Sequence, residues 1–267
     1  MKTTISAFVT SLFLVSCINV KSDADSFGGI FSGKKGTGSI TEKTVSGDFN
    51  SIEVATSITA EVYKADTEKV LVSAPSDILE FIKVDNNGGK LKVYIDSHFP
   101  NNISTERVNV KIYAKDFDEL KTNSSGEIIL KDTFSQDKVS VDISSSGEVK
   151  GNLEANNLAI SVSSSGNFSG KVWADKADFT VSSSGDFDVE GKVQHGKIEA
   201  NSSGDFNGNS LEVKEGEFDA SSSGSIFAMV SKTASAHASS SGDITLKKLG
   251  NPVISKSESS SGSVTIN

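Results

Sequence analysis

Apolar and polar residues alternate with a period of two along most of the chain from residue 39 to residue 267. Val141 and Ile143, Ile160 and Val162, and Phe179 and Val181 are typical pairs, each separated by one polar residue. β-Branched and aromatic side chains dominate the apolar set. Such alternation predicts β-strands with one buried face. The pattern is interrupted by a recurring serine-glycine phrase, and two residues past each glycine the apolar series resumes. Those positions hold Ile128, Val149, Phe168, Phe187, Phe206, Ile226, Ile244 and Val264.

The phrase recurs eight times, with its glycines at Gly126, Gly147, Gly166, Gly185, Gly204, Gly224, Gly242 and Gly262. Successive glycines are 18 to 21 residues apart, and a fixed period of this length marks a solenoid. Two further turn signals fall inside each period. One is Gly151, Gly170, Gly191 and Gly208; the other is Asn156-Asn157, Asp175-Lys176, His195-Gly196 and Glu215-Gly216. Three short strands and three corners per period predict an all-β, single-stranded parallel β-helix with about 19–20 residues per coil. The right-handed rule for parallel crossovers sets the expected hand. Glycine is expected at the corner to supply a positive φ, and stacked serines to run hydroxyl ladders along it. Phe168, Phe187 and Phe206 fall on consecutive coils and should stack inside. A flexible Gly/Ser linker is excluded, because linkers show no flanking apolar register.

Before the first phrase the alternation continues in "SITEKTV", "FNSIEV", "ITAEVY", "KVLVSA", "LKVYI" and "VNVKIYA". Residues 39–121 are therefore expected to form strands continuous with the regular coils of residues 122–267, with "HFPNNIST" (98–105) as a protruding loop. Lys2, the apolar run from Ile5 to Val15 and the closing "LVSC" resemble a bacterial lipoprotein signal, with residues 1–16 removed and Cys17 acylated. The run is too short to span a bilayer. Residues 17–38 read as the lipidated cysteine and a flexible tether. Ile18 stands where an Asp would retain an enteric lipoprotein at the inner membrane. The expected location is thus the cell envelope, lipid-anchored at the outer membrane.

The stretches "GDFNSIEVATSITAEVY" and "VNVKIYAKDFDELKTNSSGEI", followed by serial "SSSGDF" corners, resemble the putative auto-transporter adhesin, head GIN domain family. The resemblance covers about residues 45–267. It implies a β-helical secreted or surface domain of Bacteroidetes-type bacteria with a role in adhesion. The name motif of that family is replaced here by Ser57-Ile58-Thr59. A lipid anchor is expected in place of a C-terminal translocator barrel.

Charge and composition narrow the partners. The formal charge is −9, Arg107 is the only arginine and there is no basic block. Phosphate neutralisation needs clustered Lys and Arg, so nucleic acid is excluded as a partner. Cys17 is the only cysteine, so no intrachain disulfide forms. His98, His195 and His237 lack metal-ligand spacing, and no nucleophile elbow or phosphate loop occurs. The near-constant period leaves no room for the inserted loops from which β-helical enzymes build clefts, so no cofactor-dependent or catalytic site is expected. One column invites a metal. Glu127, Glu148, Asp186, Asp205 and Asp243 each follow a corner glycine, and Ca²⁺ could relieve their mutual repulsion. The plain alternative is a solvated polar edge. At the C-terminal end "GSVTIN" closes directly after a strand, which suggests an open edge for self-association unless Lys256 and Glu258 blunt it. The expected function is a non-enzymatic envelope module binding glycan or protein. A self-associating scaffold is the alternative, and a carbohydrate-active enzyme ranks below both.

Overall fold

A computed structural model describes residues 35–96 and 103–267. The signal segment, Cys17 and His98 lie outside the described residues, as do residues 98–102 of the expected loop. Among the described residues no helix is long and apolar enough to cross a membrane.

The regular part is a parallel β-helix. Strand β10 (Phe134–Ile143) is followed by β11 (Glu148–Val162), β12 (Asn167–Val181), β13 (Asp186–Ala200), β14 (Asp205–Ala220) and β15 (Ser225–Ala238). Each pairs in parallel with the next, in register along its length apart from bulges in β13–β14 and β14–β15. The last coils are β16 (Asp243–Lys248) and β17 (Val253–Glu258), both on β15, and β18 (Ser263–Ile266) on β16. The expectation of three strands per coil is corrected. One continuous strand makes most of each turn, and only the serine phrase breaks it. The other two corners are bends inside the strand, where the alternation slips. One such slip leaves Asn156-Asn157 and Asp175-Lys176 both exposed. In the next two coils it falls at Gln194-His195 and Lys214-Glu215, one residue before the glycine pairs expected from sequence.

At every serine phrase the chain makes a tight turn closed by a glycine N–H, as from Gly126 to the Asn123 carbonyl at 2.9 Å. Both central serines are left-handed, for example Ser124 at φ 50° and Ser125 at φ 62°. This is a type I′ turn, and it reverses the expected division of labour. The serines carry the positive φ, at a cost of roughly 1–2 kcal/mol each. None of the eight corner glycines does. At Gly126, Gly204, Gly224, Gly242 and Gly262 they are needed because the main chain of the preceding coil passes underneath, whereas Gly147, Gly166 and Gly185 first meet the side chains of Thr122, Ile143 and Val162. A Cβ on Gly126 would lie 2.3 Å from the Val54 oxygen, and one on Gly224 would lie 2.4 Å from the Ala200 oxygen. The corner ladder is likewise made by main chain rather than by hydroxyls. The second serine N–H of each coil donates to the first serine carbonyl of the next: Ser57 to Ser124, Ser125 to Ser145, and so on to Ser241 with Ser260, all at 3.0–3.3 Å.

The N-terminal part departs from a plain continuation of the helix. β2 (Ser51–Ala55) and β3 (Thr59–Lys64) do form a first parallel coil beneath β8 (Glu119–Asn123) and β9 (Glu127–Leu130). Its corner, Thr56-Ser57-Ile58, has the same two positive φ values. Ile58 occupies the glycine position without a positive φ of its own. Under this coil lie β6 (Lys90–Ile95) and β7 (Asn109–Ala114), still parallel. Beyond them the pairing turns antiparallel, through β5 (Ile82–Asn87) on β6 and β4 (Lys69–Pro75) on β7. β1 (Ile40–Ser46) adds to the outer edge of β4. The tether expected over residues 17–38 ends earlier than anticipated. Gly38 N–H donates to Asp77 Oδ1 at 2.9 Å, and Arg107 Nη1 donates to the Gly36 carbonyl at 2.9 Å.

A single apolar core runs the length of the coils. The expected aromatic ladder is present. Phe187 lies 5.0 Å from Phe168 and 4.9 Å from Phe206, ring centre to ring centre, and Phe179 packs against Phe187 at 5.1 Å. Burial of each ring contributes about 1.5–3 kcal/mol. This rigid core fixes the outward side chains in rows along the axis.

Candidate ligand-binding surface

Outward rows follow from register. The residues after the corner glycines do form one column: Glu127 pairs with Glu148, Glu148 with Asn167, Asn167 with Asp186, Asp186 with Asp205, Asp205 with Ser225 and Ser225 with Asp243. The column is knitted by neighbours the sequence reading did not single out. Lys150 Nζ reaches Glu127 and Glu148 at 2.8 Å each. Thr59 Oγ1 donates to Glu127, Asn167 Nδ2 donates to Glu148 and Ser225 Oγ donates to Asp205. Burial raises the Glu127 carboxyl, but the bonds from Lys150 and Thr59 outweigh it and hold it below the usual carboxylate range. Among the described residues no group of three or more His, Cys, Asp or Glu gathers where it could hold a metal ion.

A larger concavity lies elsewhere, on the face formed by the second halves of β10–β15. It is an open groove of about 710 Å³. One bank carries Lys138, Asn157, Lys176, His195, Glu215 and Thr233, which stack in register. The other carries Asp178, Lys197, Glu217 and Ser235, and the floor is main chain with small residues such as Ala177, Gly196 and Gly216. His195 Nδ1 is 3.3 Å from Glu215 Oε2, and Lys232 Nζ is 2.5 Å from Glu215 Oε1. The hydrogen bond from Lys232 keeps the Glu215 carboxyl below its ordinary value. His237 lies on the same face, in a second groove with Glu199 and Asp219. The two histidines therefore share a face without sharing a site.

Around the bend from the first groove is a smaller shelf of about 390 Å³ that includes Glu154, Asn156, Trp173, Asp175 and Gln194. Trp173 is 39% exposed. Its position was readable: it stands at a polar place in the alternation, between buried Val172 and Ala174.

Every resolved carboxylate shift among the described residues is downward, and most arise from lysine contacts. Glu119, for instance, is held low first by Lys121 and then by Ser51. A general acid needs the reverse, a carboxyl raised toward the working pH. At the C-terminal end Lys256 Nζ donates to the Val264 carbonyl at 3.0 Å, and Val264 N–H donates to Glu258 Oε1 at 2.8 Å. These two side chains occupy main-chain groups of β18 that an added strand would use.

A family profile described as "Putative auto-transporter adhesin, head GIN domain" matches residues 48–171 and, in a second overlapping copy, 148–252. The chain belongs to this family. The two matches meet inside the regular coils, as expected of a domain built from one repeated unit. Solved structures share the fold. A "putative adhesin" from Parabacteroides distasonis superposes with a TM-score of 0.80 at 19% identity, over 87% of this chain and 99% of that one. A "putative lipid binding protein" from the same species gives 0.80 at 24% identity, over 88% and 99%. A "putative adhesin" from Parabacteroides merdae gives 0.76 at 18% identity, over 88% and 98%. No curated protein matches the chain.

Proposed function

We propose that this head GIN domain is a non-enzymatic adhesion module of the cell envelope, anchored through lipid on Cys17 at the outer membrane and engaging glycan or protein with its side faces. The observation that carries the reading is the open groove across β10–β15. It is a preformed concavity on a sheet whose every strand is fixed by two neighbours, so binding costs little ordering. Within it Glu215 is tied to Lys232 and faces His195, and Lys197 is tied to Glu199, an arrangement that suits recognition better than proton transfer. Two of the three structural relatives are named putative adhesins, which supports this reading; the third is named a putative lipid binding protein. Self-association through the last coil has less support, because Lys256 and Glu258 already use the Val264 edge.

The test is protease shaving of intact cells followed by immunoblotting, together with retention of protein-coated beads on extracellular glycan and matrix-protein surfaces. Loss of the protein on shaving and saturable bead retention are expected. Survival of the protein while the outer membrane is intact would overturn the surface reading and leave a periplasmic scaffold in its place.

A further inference from the structure

Trp173 is the only tryptophan in the chain. It stands on the outside of a sheet that buries Phe168, Phe179, Phe187 and Phe206. The other outward aromatic pair is occupied: Tyr63 and Tyr113 stack on each other at 5.6 Å, and Lys69 lies over Tyr113. Among the described residues Trp173 has no aromatic partner. Lys171 lies over its ring at 5.7 Å and is itself held by Glu190 at 2.8 Å, so a fixed cation steadies the indole on one side.

Polar groups beside the ring stand on adjacent coils. In the Trp173 row the register partners are Glu154 on β11 and Lys192 on β13. Across the bend are Asn156, Asp175 and Gln194. Among the described residues Asp175 makes no hydrogen bond or ion pair, and Gln194 accepts from Lys214 through Oε1, which leaves its NH₂ group available. The lysines of the shelf are committed, Lys171 to Glu190 and Lys192 to Glu212. A platform whose carboxylate and amide are open, whose Lys192 is already paired and whose neighbouring Lys214 is turned onto Gln194 suits an uncharged ligand with one apolar face and a hydroxyl rim.

We propose that Trp173 and Asp175, with Gln194, form a subsite for a neutral pyranose of a glycan chain, the sugar's C–H face lying on the indole and its hydroxyls on Asp175 and Gln194. The C–H edges carry partial positive charge and meet the negative face of the ring. The volume is at the lower end of the range for small-molecule sites, about 300–1,000 Å³, which fits a short stretch of glycan. A membrane surface is disfavoured by the acidic shelf and the lone apolar side chain. This inference rests on the adhesion reading and gives it a ligand class.

Because the chain has no other tryptophan, tryptophan emission excited selectively over tyrosine reports on this residue alone. The full mature chain is titrated with cellohexaose, laminarihexaose, mannohexaose and xylohexaose. The expected result is a saturable blue shift and reduced acrylamide quenching with at least one of them. In gels containing the matching polysaccharide, W173A should lose at least tenfold in affinity with an unchanged Tm. W173F should stay within about threefold of the parent, and D175A should lose binding while keeping the emission of the free protein. Unchanged emission with all four sugars, or W173A binding as tightly as the parent, overturns the subsite. In either case, continued bead retention by W173A leaves the adhesion reading standing, whereas absence of retention by the parent protein overturns both.

Discussion

The corner glycines give the sharpest test of how this solenoid holds together. In Gly224→Ala the new methyl would lie 2.4 Å from the Ala200 oxygen and 2.5 Å from its carbonyl carbon. Even a tight contact of 3.0 Å requires the coils to separate locally by about 0.6 Å. Three bonds cross the interface there: Ser221 N–H to the Ala200 carbonyl at 2.9 Å, Ser225 N–H to Gly204 at 3.0 Å and Ser203 N–H to Ser222 at 3.1 Å. Stretched by that amount they pass the useful hydrogen-bond range. At about 1 kcal/mol each, the loss is roughly 2–4 kcal/mol. For a chain of this size that lowers Tm by about 4–16 °C. The matched control is Ser222→Gly at the left-handed position, φ 50°. Relief of backbone strain and the added freedom of the unfolded chain nearly cancel there, so stability should stay within about 1 kcal/mol of the parent. Thermal and urea unfolding followed by circular dichroism measure both. A Gly224→Ala variant within about 1 kcal/mol of the parent, or a Ser222→Gly variant less stable than the parent by more than about 1 kcal/mol, would refute the assignment of roles in the corner.

Phe187→Ala removes the centre of the aromatic ladder, whose ring is 1% exposed, and should cost about 3–5 kcal/mol in urea unfolding; a loss under 1 kcal/mol would mean the ladder repacks freely. Acid should destabilise the N-terminal coils. Glu127 and Glu119 have folded pKa values below their unfolded ones, so their contribution is complete above the ordinary carboxylate pKa, about 4.3, and is lost as pH falls through the folded values. Tm measured from pH 7 to pH 2.5 should therefore drop below about pH 4.5, and Lys150→Met should flatten part of that drop; a parallel curve for the variant would contradict the role of Lys150. Replacing Lys256 and Glu258 together by Ala frees the main chain of Val264, and sedimentation velocity should then show concentration-dependent association absent from the parent. A variant that stays monomeric would show that those side chains do not guard the edge.

The coils were legible in the sequence because one unit repeats, so each apolar position is confirmed by its counterparts a period away. Phe168, Phe187 and Phe206 are the clearest case. The glycine role was misassigned because a sequence shows which residue tolerates a positive φ but not which neighbour crosses above or below it. Ile58, standing at the glycine position of the first corner, is the residue that separates the two explanations. The antiparallel strands β1, β4 and β5 could not be told from coil strands, since alternation is the same for both pairings. The acidic column was read correctly as a column, yet its partner Lys150 lies on the outward face two residues past Glu148 and comes into play only through register. Trp173 broke the alternation visibly. Its surroundings, drawn from three coils, became apparent only once Glu154, Asp175 and Gln194 were stacked.

The run of main-chain bonds from Ser57 to Ser260 also has a mechanical meaning. These bonds, and the strand ladders beside them, lie along the axis of the solenoid. Axial tension spread evenly over an interface is shared among all its bonds, so a longer pairing carries more load. The long pairing of β11 with β12 should resist axial tension far better than β18, which holds β16 over only four residues. Under load the molecule should therefore shed its final coil first and keep the grooved middle intact, a graded fuse that protects the part best shaped to grip.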